Sequence, residues 1–241
     1  MAFEAYSWAH GLGVAMAAAI VAGIVGFRGR LRSGAKTNRY ARYALAAILI
    51  GSELSLQAWY GITRNWGVNS LPFQLCSIMI WLSAAVLLTR NRKLFEVNFF
   101  LGIMGALQAL ATPNLDVSYP QFRFFHFFIA HGAIIGASVF LAATEGYRPT
   151  IVSVFRALGW LHVLAVPAAI TNALTGYNFM FLARKPDTPS LLDLLAPWPW
   201  YLLELEIVAL VLCIAMLGVI RLVDYAYRAG RSRQAPPLKG E

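Results

Sequence analysis

Ser70-Leu-Pro-Phe-Gln-Leu-Cys-Ser77 opens an apolar run that continues without a charge to Thr89, long enough to cross a bilayer, and it sets a thiol, Cys76, just inside that crossing. A Ser followed by Pro reads as a helix start, with the first turn near Leu71. The start of a helix carries partial positive charge, which stabilises a negative sulfur, but the effect fades within about one turn. Cys76 therefore needs a partner to become a nucleophile.

The rest of the chain has the same character. Of 241 residues, 59% are hydrophobic and 13% charged, with a mean hydropathy of +0.61. About a quarter of a soluble domain is charged, so the sequence predicts an all-α, multi-pass membrane protein. The length holds roughly seven spans of about 20 residues. They are expected at residues 7–27, 43–62, 71–89, 94–111, 122–143, 150–172 and 199–222, forming one domain over 1–233 with a disordered tail at 234–241. No basic residue precedes the first span, so it lacks the n-region of a signal peptide and is expected to stay as an anchor.

Charge orients the spans. Arg28, Arg30, Arg32, Lys36, Arg39 and Arg42 crowd one connection, and Arg90, Arg92 and Lys93 another, whereas 112–121 has neither Lys nor Arg. The positive-inside rule then predicts the N-terminus outside and the C-terminus in the cytoplasm, in a cell membrane. The net charge of +9 is accounted for by topology, and nucleic acid is not an expected partner. The stretch Ser190 to Leu195, between Pro189 and Pro197, reads as interfacial or re-entrant, and Trp198 and Trp200 suit the aromatic belt.

Ionisable and amide groups inside spans are costly and count as candidates for function. In the predicted topology they gather in the outer half: Gln74 and Cys76 in the third span, Gln108 in the fourth, His126 and His131 in the fifth, Glu53 and Gln57 in the second, with His162 and Asn172 in the sixth. His131 lies about 14 Å along its helix from the outer end, within reach of Cys76 given tilt and side-chain length. A thiol with a neighbouring imidazole is the arrangement of cysteine acyl-transfer chemistry, and Glu53, Gln57, Gln108 or Asn172 is placed to orient the imidazole. A cysteine in an apolar helix also serves as a small core residue, and an intramembrane histidine as a link between helices. Cys213 has only apolar neighbours and is read as core. Glu204 and Glu206 are read as rim partners of Arg123 or Arg184. The spans hold no Lys for a retinal-type Schiff base, and no metal or phosphate-loop motif is present, so no cofactor is expected.

Several segments together resemble a known family. These are Leu71 to Ser77; Gly105-Ala-Leu-Gln-Ala-Leu-Ala-Thr-Pro113; Phe127-Phe-Ile-Ala-His-Gly132; Asn172-Ala-Leu-Thr-Gly-Tyr-Asn-Phe-Met180, which includes Asn178; Lys185-Pro186; and Pro197 to Tyr201. In this order they resemble the YwaF-type integral membrane proteins and their eukaryotic relative, transmembrane protein 164. Gln74 and Phe179 stand where the resemblance leads one to expect His and Tyr. The eukaryotic member is regarded as an acyltransferase that remodels ether phospholipids through a Cys and a His. Those roles fall by motif on Cys76 and His131, with phospholipid and lysophospholipid as substrates. The alternative is a protein that binds or carries a lipid or small amphiphile without chemistry.

Overall fold

The structure, a computed structural model, describes residues 3–187 and 190–233; the tail 234–241 and Pro189 lie outside the described residues. The described chain is helical, with seven helical segments long and apolar enough to cross a membrane, as the hydropathy pattern predicts. The helices are α1 (Trp8–Gly26), α2 (Arg28–Ser33), α3 (Ala35–Ile62), α4 (Leu75–Thr89), α5 (Arg92–Val97), α6 (Ile103–Ala111), α7 (Phe122–Thr144), α8 (Ile151–Thr175) and α9 (Trp200–Arg233). α2 is a short helix between the first two spans. α5 and α6 form one span joined through a π-helical turn, Asn98–Gly102.

Local signals set several ends. The Ser7 hydroxyl accepts from the His10 N–H at the start of α1, and Thr150 and Ser153 form a capping box at the start of α8. Arg90 and Gly176 close α4 and α8 in the left-handed region, at φ 57° and 72°.

α7 is the hub. Within its most apolar window 72% of residues are buried inside the protein, against 11% for α9. The reason is a face of small residues. A Cβ on Gly132 would lie 2.7 Å from the Ala17 Cα, and one on Gly13 would lie 2.3 Å from the Phe128 ring, so α1 and α7 approach as closely as their backbones allow. α3, α4 and α6 pack around the other sides of α7, while α9 leans mainly on α8, and its Cys213, fully buried as read, touches Met104.

The second span begins earlier than the charge pattern implies. Lys36, Arg39 and Arg42 lie on α3 itself. Arg42 is buried because its Nη1 donates to the Leu87 carbonyl at 2.6 Å, meeting the negative, carbonyl-bearing end of α4. At that end of the bundle three arginines pair with carboxylates across elements: Arg90 with Glu145, Arg148 with Asp224 and Arg156 with Glu96. Between the ends, Ser83 donates to Asn98 Oδ1 at 2.7 Å and Asn98 donates to Ser138 at 2.9 Å, tying α4, the π turn and α7 through fully buried groups.

Gly132→Val is expected to lower stability by about 1–3 kcal/mol, the usual cost of overpacking, read as thermal unfolding in detergent. Gly23→Ala, where a Cβ meets nothing within 4 Å, is the control, and equal melting of the two variants would refute the close α1–α7 contact.

Candidate functional site

α4 starts later than the Ser-Pro signal implies. Ser70 ends a 3-10 turn, Val68–Ser70, and Leu71, restricted by the following Pro72, is extended at φ −67° and ψ 137°. The first helical residue is Leu75, so Cys76 lies in the first turn. Gln74, the extended residue before it, does not cap its own helix; its Oε1 accepts the Met180 N–H at 3.0 Å. The first-turn N–H groups of α4 thus lack a side-chain cap from Gln74, at the end of the helix where negative charge is stabilised. Gly105 of α6 faces the sulfur, and a Cβ there would lie 3.8 Å from Cys76 Sγ.

His131 projects from the buried face of α7. Its Nδ1 lies 2.7 Å from the Phe127 carbonyl. A carbonyl only accepts, so Nδ1 carries the hydrogen and the neutral ring keeps its lone pair on Nε2. That nitrogen has no hydrogen bond among the described residues, and none joins Cys76 to His131. The elements are brought together, α4 against α7, but the two groups are not locked to each other.

Along α3, Glu53, Gln57 and Tyr60 follow one another at single-turn spacing. Gln57 Nε2 donates to Glu53 Oε1 and to the Ser70 carbonyl, each at 3.0 Å, linking this row to the segment that leads into Cys76. Glu53 is 2% exposed and its Oε2 has no partner; His126 Nε2 is likewise buried without one. Buried polar atoms are normally paired, so two orphans on the adjoining helices α3 and α7 mark a place where a ligand's polar groups would be satisfied. At the end of the row, Arg123 Nη1 donates to the Tyr60 hydroxyl at 3.2 Å.

Other predicted residues have structural duties. Asn172 uses its whole amide on one residue, donating to the Phe179 carbonyl at 3.0 Å and accepting its N–H at 2.7 Å. Asn178 likewise braces its own loop, accepting from the N–H groups of Ala183 and Arg184 and donating to the Arg184 carbonyl. His162 is exposed on α8, with Nε2 2.9 Å from Glu206 Oε1 on α9. Gln108 is exposed on α6 and its amide has no hydrogen bond among the described residues. The rim pairing expected of the acidic residues does not occur: Glu206 faces His162, and Glu204 accepts the Ala196 N–H at 2.7 Å. The short stretch after Ser190 forms a 3-10 helix, Leu191–Leu194, that buries Leu192 and exposes Leu191 and Leu194.

His10 was not among the expected site residues. The Tyr6 N–H donates to its Nδ1 at 2.8 Å, so Nε2 carries the hydrogen toward the Leu110 carbonyl at 2.8 Å. Both nitrogens are used, which makes it a clasp between α1 and α6; its position inside an apolar span was the available signal. Among the described residues no group of three or more His, Cys, Asp or Glu side chains is placed to hold a metal ion.

Fold and site together define a seven-span, all-helical membrane protein with a thiol at a helix start and, on the neighbouring helices α3 and α7, buried polar atoms that lack partners. The profile of the TMEM164 family matches residues 5–217, and the chain belongs to that family, as the segments quoted above imply. The Transmembrane protein 164 homolog of Dictyostelium discoideum is 32% identical over 104 residues, which cover 41% of this chain and 37% of that protein. No solved structure matches.

In a Cys213→Ala background, Gly105→Ala should keep the fold, since the added Cβ meets only ordinary contacts, and slow maleimide alkylation of Cys76. An unchanged rate would mean that the sulfur is approached from another side.

Proposed function

We propose that this chain is a phospholipid acyltransferase of a cell membrane, with Cys76 as nucleophile and His131 as its base. The observation that carries the reading is the state of His131: its Nδ1–H is held by the Phe127 carbonyl, which orients the ring and leaves Nε2 to accept a proton, in the half of the bundle where Cys76 begins α4. Family membership and the orphaned atoms of Glu53 and His126 support it.

The chemistry follows from those groups. Nε2 takes the thiol proton as sulfur attacks the carbonyl carbon of a phospholipid acyl ester. The tetrahedral intermediate collapses, the ester C–O bond breaks, and Nε2–H returns the proton to the departing lysophospholipid alkoxide, leaving an acyl thioester on Cys76. A second lysophospholipid hydroxyl, deprotonated by Nε2, then attacks the thioester, and the thiol is restored. Water as acceptor would release a fatty acid instead. The uncapped N–H groups of the first turn of α4 are the natural donors to the oxyanion, with the free amide of Gln108 as a second source; the amide of Asn172 is already committed to Phe179. The charge distribution supports a site in the outer half of the membrane with the N-terminus outside, and we read that membrane as the cytoplasmic membrane of a bacterium.

A second reading has one observation in its favour. No hydrogen bond joins Cys76 to His131, as in a cavity that holds an amphiphile without reacting. Catalytic hydrogen bonds are commonly long until substrate is bound, so enzyme chemistry remains the better account.

Purified protein incubated with a phospholipid and an isotopically labelled lysophospholipid should give labelled diacyl product by mass spectrometry. Cys76→Ala should remove it, and His131→Gln should reduce it by roughly 10²-fold or more. Product formation that survives Cys76→Ala would sink the nucleophile. Ligand retention without product, insensitive to thiol alkylation, would support the carrier.

A further inference from the structure

Among the described residues, Arg123 has no carboxylate partner. It stands in the first turn of α7, half-buried inside a span, where a positive side chain opposes the helix dipole instead of complementing it. At the other end of the bundle Arg90, Arg148 and Arg156 each meet a carboxylate, and Arg42 meets a carbonyl at the end of α4. Arg123 has only the Tyr60 hydroxyl, at 3.2 Å, and the faces of Trp59 and Tyr60, with its guanidinium carbon 5.6 and 5.9 Å from the ring centroids. Glu204 and Glu206, the acids expected to pair with Arg123 or Arg184, are committed to Ala196 and His162. An intramembrane cation left this way calls for an anion from outside the chain.

The surroundings specify which anion. An aromatic wall, Trp59 stacked on Phe122 with ring centroids 6.3 Å apart, covers one side of the guanidinium and leaves its remaining N–H donors for a bidentate acceptor. Because the Tyr60 oxygen accepts from Arg123, its own O–H is left to donate. Tyr177, in the loop gripped by Asn172, is near enough for the Tyr60 hydroxyl and the Arg123 charge to act on it. Its hydroxyl is pushed above the usual phenol range, by desolvation first and then by Tyr60, with the Arg123 charge opposing, so it too stays a donor. A guanidinium with a neutral hydroxyl bonded to it and a second one in the adjoining loop suits a phosphate.

The position ties this group to the thiol. Tyr60 is one turn from Gln57, which holds the Ser70 carbonyl, and the Tyr177 loop is held by Gln74, the residue before α4. Arg123 is about 12 Å from His131 along the axis of α7, a gap that an arginine side chain and a glycerol unit together can bridge.

We propose that Arg123, with Tyr60 and Tyr177, binds the phosphate of the lipid substrate and so sets an ester of that lipid at the depth of Cys76. The lipid as substrate is taken from the acyl-transfer reading; the anion site itself stands on the uncompensated cation.

The test measures binding in Cys76→Ala protein, which is expected not to turn over, so that it does not depend on acyl transfer. The probes are a fluorescent lysophosphatidylcholine and a monoacylglycerol with the same labelled chain, each displaced by its unlabelled form. The lysophospholipid should bind at least about tenfold tighter, the equivalent of about 1.4 kcal/mol. Arg123→Gln should erase that preference while leaving monoacylglycerol affinity unchanged, Arg123→Lys should restore part of it, and Tyr60→Phe should weaken it severalfold. Millimolar inorganic phosphate should not displace the lysophospholipid if the site requires a lipid phosphate, and displacement would reassign it to free phosphate. An undiminished preference in Arg123→Gln overturns the proposal. If Arg123→Gln loses both probes through misfolding, Tyr60→Phe decides, and full preference there overturns it equally. Preference lost in Arg123→Gln by a protein that never transfers an acyl group would leave the anion site standing and remove only the enzyme reading.

Discussion

The contact on which the bundle depends is the approach of two backbones, Ala17 of α1 against Gly132 of α7, with Gly13 under the Phe128 ring one turn away. Inside a bilayer the solvent is as apolar as the side chains, so helices gain little by hiding hydrophobic surface and associate through close packing and buried polar links. Small residues on α7 supply the first. They let α1, α3, α4 and α6 gather around one axis, and this gathering brings His131 to the buried side of the helix that α4 also touches.

Polar links are distributed unequally between the two ends. At one end, Arg42 meets the carbonyls of α4 while its Nε stays unpaired, and Arg90, Arg148 and Arg156 meet acids. At the other, Glu53 Oε2 and His126 Nε2 are buried and unpaired, and Arg123 has only a hydroxyl and two ring faces. Ion pairs thus hold the first end, whereas around the start of α4 the links are amide, hydroxyl and ring contacts.

Much of this was legible in the sequence. Hydropathy gave the spans because a backbone in lipid has to pair with itself, and twenty apolar residues admit little else. Cys76, His131, Glu53 and Gln57 stood out as polar groups in apolar surroundings. Three things were not legible. The start of α4 depended on what Pro72 does to Leu71, which delays the helix to Leu75. The role of Arg42 depended on Leu87, forty-five residues away, so a residue that reads as loop charge is a buried cap. Asn172 and Asn178 read as candidates for the site because an amide in or near a span advertises only that it must bond, and the loop they brace was invisible until folded. Distant pairing, not local propensity, separates the residues that hold this site from those that compose it.

The contrast between α7 and α9 bears on how the chain can vary. α9 is the more apolar, with a mean hydropathy of 2.5 in its best window against 1.9 for α7, yet its window is 11% buried and that of α7 is 72%. Most of α9 answers to the bilayer, which asks only that a residue be oily, whereas much of α7 answers to neighbours that register a single methyl. Drift along a lineage would then be fast where the sequence is greasiest and slow where glycine and alanine face other helices, so apolarity marks the span while smallness marks the inheritance.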